Sequence, residues 1–237
     1  MHAAGRGVVT KVGLAMSMAT VFALAQPNST LACAPRRSHD IVARHAGTLG
    51  NASSLTGIAS SILEISPYYS GNNPTGTVAT VMLTTNNVTQ WAQWGWYKSK
   101  IDNGNIQRQI GMEFYISAAD NTFLFFGAKP IGDQTDYQIW YTSGSYKFYV
   151  NDQLYVSEGG LAAPTQYQIF GETHDKSDQF PGSQSAHETL VSTAYFTGST
   201  HIAHTVTSAT FNDDSTVSGI SHPSAGRYET WDQGCAT

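Results

Sequence analysis

The sequence predicts an all-β fold, an antiparallel two-sheet sandwich of the jelly-roll kind, and three observations carry the prediction. Short runs of alternating apolar and polar residues recur from Thr56 to the C-terminus. Gly, Asn, Asp and Pro interrupt those runs at close intervals, and no segment beyond the first 25 residues shows a convincing amphipathic helix. Alternation puts successive side chains on opposite faces of a strand. Many short strands with turn residues between them close most simply as a sandwich or barrel.

The chain opens with Arg6 and Lys11, an apolar run from Val12 to Leu24, and small residues at Ala23-Leu24-Ala25. A basic start, an apolar stretch and a small-residue cleavage site make a signal peptide, here residues 1–25. The run is shorter than the ~20 apolar residues that span a bilayer, and no later stretch is long and apolar enough to anchor the chain. A lipoprotein with Cys33 as the modified residue fits less well, because Gln26 to Thr30 separates the apolar run from Leu31-Ala32-Cys33. Cutting after Ala25 leaves 212 residues, expected to be extracellular and free of the membrane.

Export implies an oxidising compartment, and the mature chain keeps only Cys33 and Cys235, near its two ends. Chain ends of a compact domain usually lie close together, so these two are expected to pair; free thiols or a bridge between chains are the alternatives. Closing so long a loop is worth roughly 4 to 5 kcal/mol in the chain-entropy model, an upper figure.

Only 12% of the residues are charged, and the mature chain carries a net charge of −7. No Lys/Arg cluster lines up with aromatic residues, which excludes nucleic acid as a natural partner. An extracellular polypeptide or glycan is the expected partner, no cofactor is called for, and a monomer is expected.

Residues 26–55 read as a leader or linker that wraps the domain, or as a short pro-segment, because Pro35-Arg36-Arg37 and the small polar residues after it show no sustained period. The single sandwich domain is placed at 56–237. Its strands are read at Ile58–Ile65, Gly76–Thr84, Val88–Tyr97, Ile110–Ile116, Thr122–Gly127 and Tyr137–Thr142. The series continues with Tyr146–Val150, Thr165–Thr173, Leu190–Phe196, His201–Phe211 and Arg227–Trp231. Asn151-Asp152 is read as a hairpin turn.

Splitting three strands into faces yields the candidate site. In Val88–Tyr97, Ala92, Trp94 and Trp96 share one face, and Trp91, Gln93, Gly95 and Tyr97 share the other. In Ile110–Ile116, Ile110, Met112, Phe114 and Ile116 oppose Gly111, Glu113 and Tyr115. In Thr165–Thr173, Tyr167, Ile169 and Gly171 oppose Gln166, Gln168, Phe170, Glu172 and His174. Each strand therefore has a core face and a second face mixing amide, carboxylate and aromatic groups. If the strands are neighbours, Gln93, Glu113 and Glu172 look onto one groove. Trp91, Tyr97, Tyr115, Tyr149, Gln168 and His174 are the candidates for lining it; a solvated sheet face is the alternative.

At these residues the chain resembles the glutamic peptidases. Their pattern places a Gln-x-Gly strand before a Tyr-Glu-Trp-Tyr strand and then a Glu-Trp-x-x-Glu strand. The same order here reads Gln93-Trp94-Gly95, Met112-Glu113-Phe114-Tyr115 and Gln168-Ile169-Phe170-Gly171-Glu172. The match runs from about Val88 to Asp175 and departs from the pattern at Gln168 and Ile169. The resemblance implies a secreted, concanavalin-like β-sandwich enzyme working in acid, with Gln93 as catalytic glutamine and Glu172 as catalytic glutamate. The distantly related plant-type enzymes use two glutamates, which would make Glu113 and Glu172 the pair. In that chemistry Glu172 takes a proton from water and passes it to the leaving amine, and the Gln93 amide steadies the oxyanion.

Other constellations are weaker. His201 and His204 sit at a spacing that puts them on opposite faces of a strand, wrong for joint metal binding, so no metal is expected. No Gly-x-Ser-x-Gly elbow is present. Asp213-Asp214 reads as a turn. The competing function is a lectin-like module with Trp91, Tyr97, Tyr115 and Tyr149 as stacking platforms, or a glycosidase using Glu113 and Glu172. A structural or interaction protein with an incidental groove is the third.

Overall fold

The computed structural model describes Cys33, Pro35 and residues 37–72, 76–85, 88–100 and 104–235. The segment read as a signal peptide and the start of the segment read as a leader lie outside the described residues. Among the described residues fifteen strands are found: β1 Arg44–Asn51, β2 Leu55–Leu63, β3 Thr77–Thr84, β4 Trp91–Lys100, β5 Ile106–Ser117, β6 Asp120–Phe126, β7 Gln134–Thr142 and β8 Ser145–Val150. They continue as β9 Gln153–Gly159, β10 Gln166–Thr173, β11 Glu188–Thr197, β12 Ile202–Thr205, β13 Thr210–Asn212, β14 Ser218–Ser224 and β15 Arg227–Asp232. One sheet runs β13-β1-β10-β3-β4-β5-β6 and the other β14-β15-β11-β2-β7-β8-β9, with β12 added on β11. All strand pairs are antiparallel, and the two sheets pack face to face as a jelly-roll sandwich.

The core is built from the apolar sides of the alternating strands. Ala92, Trp94 and Trp96 of β4, Ile110 and Met112 of β5, and Tyr137, Ile139, Tyr146 and Phe148 of β7 and β8 are almost wholly buried. Trp94 is met edge-on by Phe126, Tyr137, Phe148 and Tyr155, which brings the positive ring edge to the negative ring face. A buried indole N–H needs an acceptor. Trp94 Nε1 donates to the Tyr149 carbonyl at 2.7 Å and Trp96 Nε1 to the Leu63 carbonyl at 3.1 Å, so both tie the first sheet to the second. Asn151 and Asp152 take positive φ values of 48° and 63° in the hairpin between β8 and β9, the twist a two-residue turn needs.

The sheet begins earlier than the sequence suggests. β1 falls inside the segment read as leader, and it pairs with β10 along its whole length, from Arg44 opposite Thr173 to Asn51 opposite Gln166. Its pattern is hidden because it is built of small residues, and the contact itself demands them: a Cβ on Gly47 would lie 2.2 Å from the Ile169 carbonyl oxygen and 2.4 Å from the Phe170 Cβ. β9 and β14 also escaped the periodicity, the first because it is a largely exposed strand at a sheet edge and the second because it carries Gly219 and Pro223, which suit an edge. The run His201–Phe211 is two strands in different sheets, β12 on β11 and β13 on β1, with buried Val206 between them still bonded to Thr193 of β11.

The described residues between Cys33 and β1 lie along the domain as a strap. Cys33 and Cys235 form a disulfide with a Cα–Cα distance of 5.6 Å. Arg37 grips the buried Asp232 with two N–H groups, and Asp232 also accepts the Phe180 amide at 2.8 Å. His39 pairs with Asp175, and Arg44 with Asp40 and Asp214.

Replacing both cysteines by serine is expected to destabilise the domain by up to about 4 to 5 kcal/mol, because the bridge closes a loop of 202 residues. Urea denaturation of the double variant against the oxidised protein measures it; equal stabilities would show that Arg37 and its neighbours hold the strap without the bridge.

Candidate active site

The outward face of the first sheet is organised in cross-strand rows. One row contains His45, Glu172, Val78, Tyr97 and Gln109 on β1, β10, β3, β4 and β5. Two residues further along the strands, the next holds Gly47, Phe170, Thr80, Gly95 and Gly111, ending at Phe125 on β6. A third row contains Gln168, Met82, Gln93, Glu113 and Phe123, and a fourth Gln166, Thr84, Trp91 and Tyr115. The alternation read from the sequence therefore does bring Gln93, Glu113 and Glu172 to one face. Gln93 and Glu113 are direct cross-strand partners, and Glu172 lies two rows away.

Glu172 is the best-defined group. Its carboxylate is 6% exposed, and one oxygen, Oε1, faces two imidazoles: His174 Nε2 at 2.8 Å and His45 Nε2 at 3.2 Å. No hydrogen bond to Oε2 is found among the described residues. The other side of the His45 ring meets Asp213, with Nδ1 at 2.6 Å from Asp213 Oδ2, and the His45 backbone N–H donates to the same oxygen at 3.2 Å. The Phe170 ring holds His45 edge-on, with centroids 5.5 Å apart.

Burial alone would push the Glu172 carboxyl up, but the charge and hydrogen bond of His174, followed by those of His45, overcome it and hold Glu172 well below the usual range. Burial would lower His45, and Glu172 with Asp213 reverse that and lift it to about 9. His174 is raised in the same way, the charge of Glu172 prevailing over burial. Glu113 moves the opposite way from Glu172. Burial and the Glu172 charge raise it, against hydrogen bonds from Trp91 and Asn121. One sheet face thus carries one carboxylate held ionised and a second that keeps its proton to a higher pH than an ordinary carboxyl.

Several expected residues sit differently from the sequence reading. Tyr97 is 2% exposed, with its ring laid over Gly111, where a Cβ would come within 2.3 Å of the ring, and edge-on to Phe125. It is no open platform; its hydroxyl is buried without a partner among the described residues. Tyr149 belongs to β8 on the second sheet and cannot share this groove; it borders a separate shallow groove with Gln138, Trp140, Lys147 and Asp152. Trp91 and Tyr115 stack on each other with centroids 3.9 Å apart and planes within 9°. Gln168 donates to Gln166 at 3.0 Å, and Gln93 Nε2 donates to Thr80 Oγ1 at 3.1 Å. His201 and His204 bond different partners, Thr56 and Thr197. Among the described residues no cluster of His, Cys, Asp and Glu is arranged to hold a metal ion.

His45 and Asp213 are the site residues that sequence reasoning missed. His45 lies in the strand read as leader, and Asp213-Asp214 reads as an ordinary turn. Only the β1–β10 and β1–β13 pairings bring them to Glu172.

No protein-family model and no curated protein sequence matches the chain. Among solved structures the fold is similar to scytalido-glutamic peptidase bound to a peptide-based transition-state analog, with a TM-score of 0.58 at 13% identity over 82% of this chain and all of that one. It is also similar to SCP-B, a member of the eqolisin family of peptidases in complex with the tripeptide Ala-Ile-His, with a TM-score of 0.54 at 11% identity over the same shares. At such identities the likeness is one of fold, and the resemblance drawn from the short motifs agrees with it.

Glu172 is lowered from 4.5 and His45 raised from 6.5 to about 9, so the stabilisation from their contact is complete between about pH 4.5 and 6.5. It is lost as pH falls through the lowered Glu172 value and as pH rises through that of His45. Glu172→Gln is therefore expected to destabilise most inside that window, by about 3 kcal/mol, and progressively less as pH rises from about 6.5 to 9. Urea midpoints of both proteins across pH measure this; a pH-independent difference would mean that the imidazoles do not carry the interaction.

Proposed function

We propose that the chain is a secreted, glutamic-peptidase-like hydrolase that cleaves peptide bonds at acid pH, with Glu172 as general base and Glu113 as general acid. The observation that carries the proposal is the opposite displacement of two carboxylates on one sheet face, which is how sites divide acid and base roles between like groups. The similarity of fold to two peptidases supports it. The disulfide accords with an exported protein.

The chemistry follows from the groups present. Oε2 of ionised Glu172 takes a proton from water as the water oxygen attacks the peptide carbonyl carbon. The carbonyl oxygen becomes an oxyanion, a charge that a side-chain amide N–H of this face would steady; Gln93, which the resemblance makes the catalytic glutamine, lies two rows from Glu172 with Nε2 on Thr80, whereas Gln109 shares the row of Glu172. Protonated Glu113, across the strand pair from Gln93, gives its proton to the departing amine as the C–N bond breaks. The pH profile takes its sign from the two displacements. Activity falls at low pH as Glu172 is protonated and at higher pH as Glu113 ionises; the first limb lies below, and the second above, the ordinary value of 4.5.

One observation favours a second reading, binding or cleavage of glycans: the stacked Trp91–Tyr115 pair at the end of the same face is a surface on which a sugar ring could rest.

Cleavage of a denatured protein substrate by the purified chain is expected in acid, with Glu172→Gln and Glu113→Gln each losing at least about 100-fold in kcat/KM and Glu113→Gln also losing the high-pH limb. A folded, oxidised preparation that cleaves no polypeptide, yet binds glycans in a way that Trp91→Ala abolishes, would replace the peptidase with the second reading.

A further inference from the structure

Each nitrogen of the His45 ring faces a carboxylate oxygen, Nδ1 that of Asp213 at 2.6 Å and Nε2 that of Glu172 at 3.2 Å. A neutral imidazole carries one N–H and one lone pair. In either tautomer a lone pair would point at a carboxylate oxygen inside hydrogen-bond distance, which is repulsive. With both carboxyls ionised, only the ring with both nitrogens protonated satisfies the two contacts.

The surroundings direct Asp213 to this task. The neighbouring Asp214 is occupied by Arg44 and Lys176, each at 3.2 Å, and by Thr216, whereas Asp213 meets His45 through both backbone and ring. The other groups around Glu172 are His174 at the end of β10, Tyr97 on β4 and Glu113 on β5, and Asp178 acts on His174. Of these, only the two histidines favour an ionised Glu172; Glu113 opposes it.

We propose that Asp213 and His45 are positioning residues for Glu172: the two carboxylates hold the His45 ring as a cation, and that cation, with His174, occupies Oε1 and leaves Oε2 to receive the proton of the attacking water. The proposal deepens the peptidase reading, since Oε2 acts as a base only if that reading holds, but the state of the His45 ring can be measured without it. Asp213 and His45 make no bond to substrate in this scheme. Their work is to keep a buried carboxylate ionised in acid and to aim one of its oxygens. Glu172, without the His45 cation, would take up a proton at a higher pH because His174 alone then opposes burial.

The experiment has two arms on the full mature chain. In the first, long-range proton–nitrogen NMR of the histidine rings is expected to show both His45 nitrogens protonated at neutral pH, with loss of a proton near pH 9. Asp213→Asn, which keeps the shape but removes the charge, lowers that titration by about one pH unit or more, and Asp213→Glu restores it. In the second, the acid limb of kcat/KM moves up by about one unit in His45→Gln, which removes the cation from Glu172, about a tenfold loss at low pH that shrinks as pH rises and that a residue with only a structural role would not produce; Asp213→Asn leaves this limb in place, because in acid the ring is a cation in either protein. Asp213 is 46% exposed, so the substitutions leave core packing untouched. A neutral His45 ring at pH 7 in the parent protein, or an Asp213→Asn titration equal to the parent's, overturns the proposal. An acid limb of His45→Gln equal to the parent's overturns the role assigned to the ring in positioning Glu172. If the parent cleaves no peptide while the NMR arm gives the expected result, the peptidase reading and the role of Oε2 fall, and the assignment of His45 as a cation stands.

Discussion

The placement of two indoles between the sheets is the constraint on which the rest of the molecule depends. Trp94 and Trp96 are wholly buried in the sandwich interior, and their N–H groups must find acceptors there. They find them on the facing sheet, at Tyr149 and Leu63, which fixes the position of β4 against both β8 and β2. Because a strand alternates, fixing Trp94 and Trp96 inward also fixes Gln93, Gly95 and Tyr97 outward. A slip by one residue would reverse both sets, so the same packing that stabilises the core sets the register of the candidate site.

Buried charge is distributed unevenly, and the contrast bears on function. Inside the sandwich, Glu64 is met by Arg108 and by the Tyr137 hydroxyl, so the carboxylate has direct partners on two strands. On the outward face, Glu172 is nearly as buried but has its bonds confined to one oxygen. A carboxylate with both oxygens occupied is a structural group. One that is ionised, enclosed and half engaged retains the capacity to accept a proton, and the phenyl ring of Phe170 beside His45 limits the solvent that would otherwise screen the pair.

The strap from Cys33 to β1 contributes more than stability. The disulfide and the Arg37–Asp232 pair fix the approach to β1, and β1 then supplies His45 opposite Glu172. On its other edge β1 pairs with β13, and Asp213 follows β13 directly. Three segments distant in sequence thereby meet at one imidazole. A fold that left β1 loose would keep Glu172 on its strand but deprive it of one of the two cations that hold it ionised.

The sequence alone determined the all-β class, most of the strands, the cysteine pair and the division of β4, β5 and β10 into core and outward faces. Those properties are local: alternation is written into consecutive residues, and Trp94 beside Gln93 or Ile169 beside Phe170 states which side is which without knowledge of neighbours. Cysteine pairing was legible because only one partner was present. Tertiary structure decided what local pattern could not express. It put Tyr149 on the other sheet, turned Tyr97 down over Gly111, and set Gln93 two rows from Glu172, because strand order and register are relations between segments. It also brought His45 and Asp213 to Glu172. β1 shows little hydrophobic period because Gly47 must let Phe170 approach, and an Asp-Asp pair in a turn looks like any solvated turn until an imidazole is placed against it.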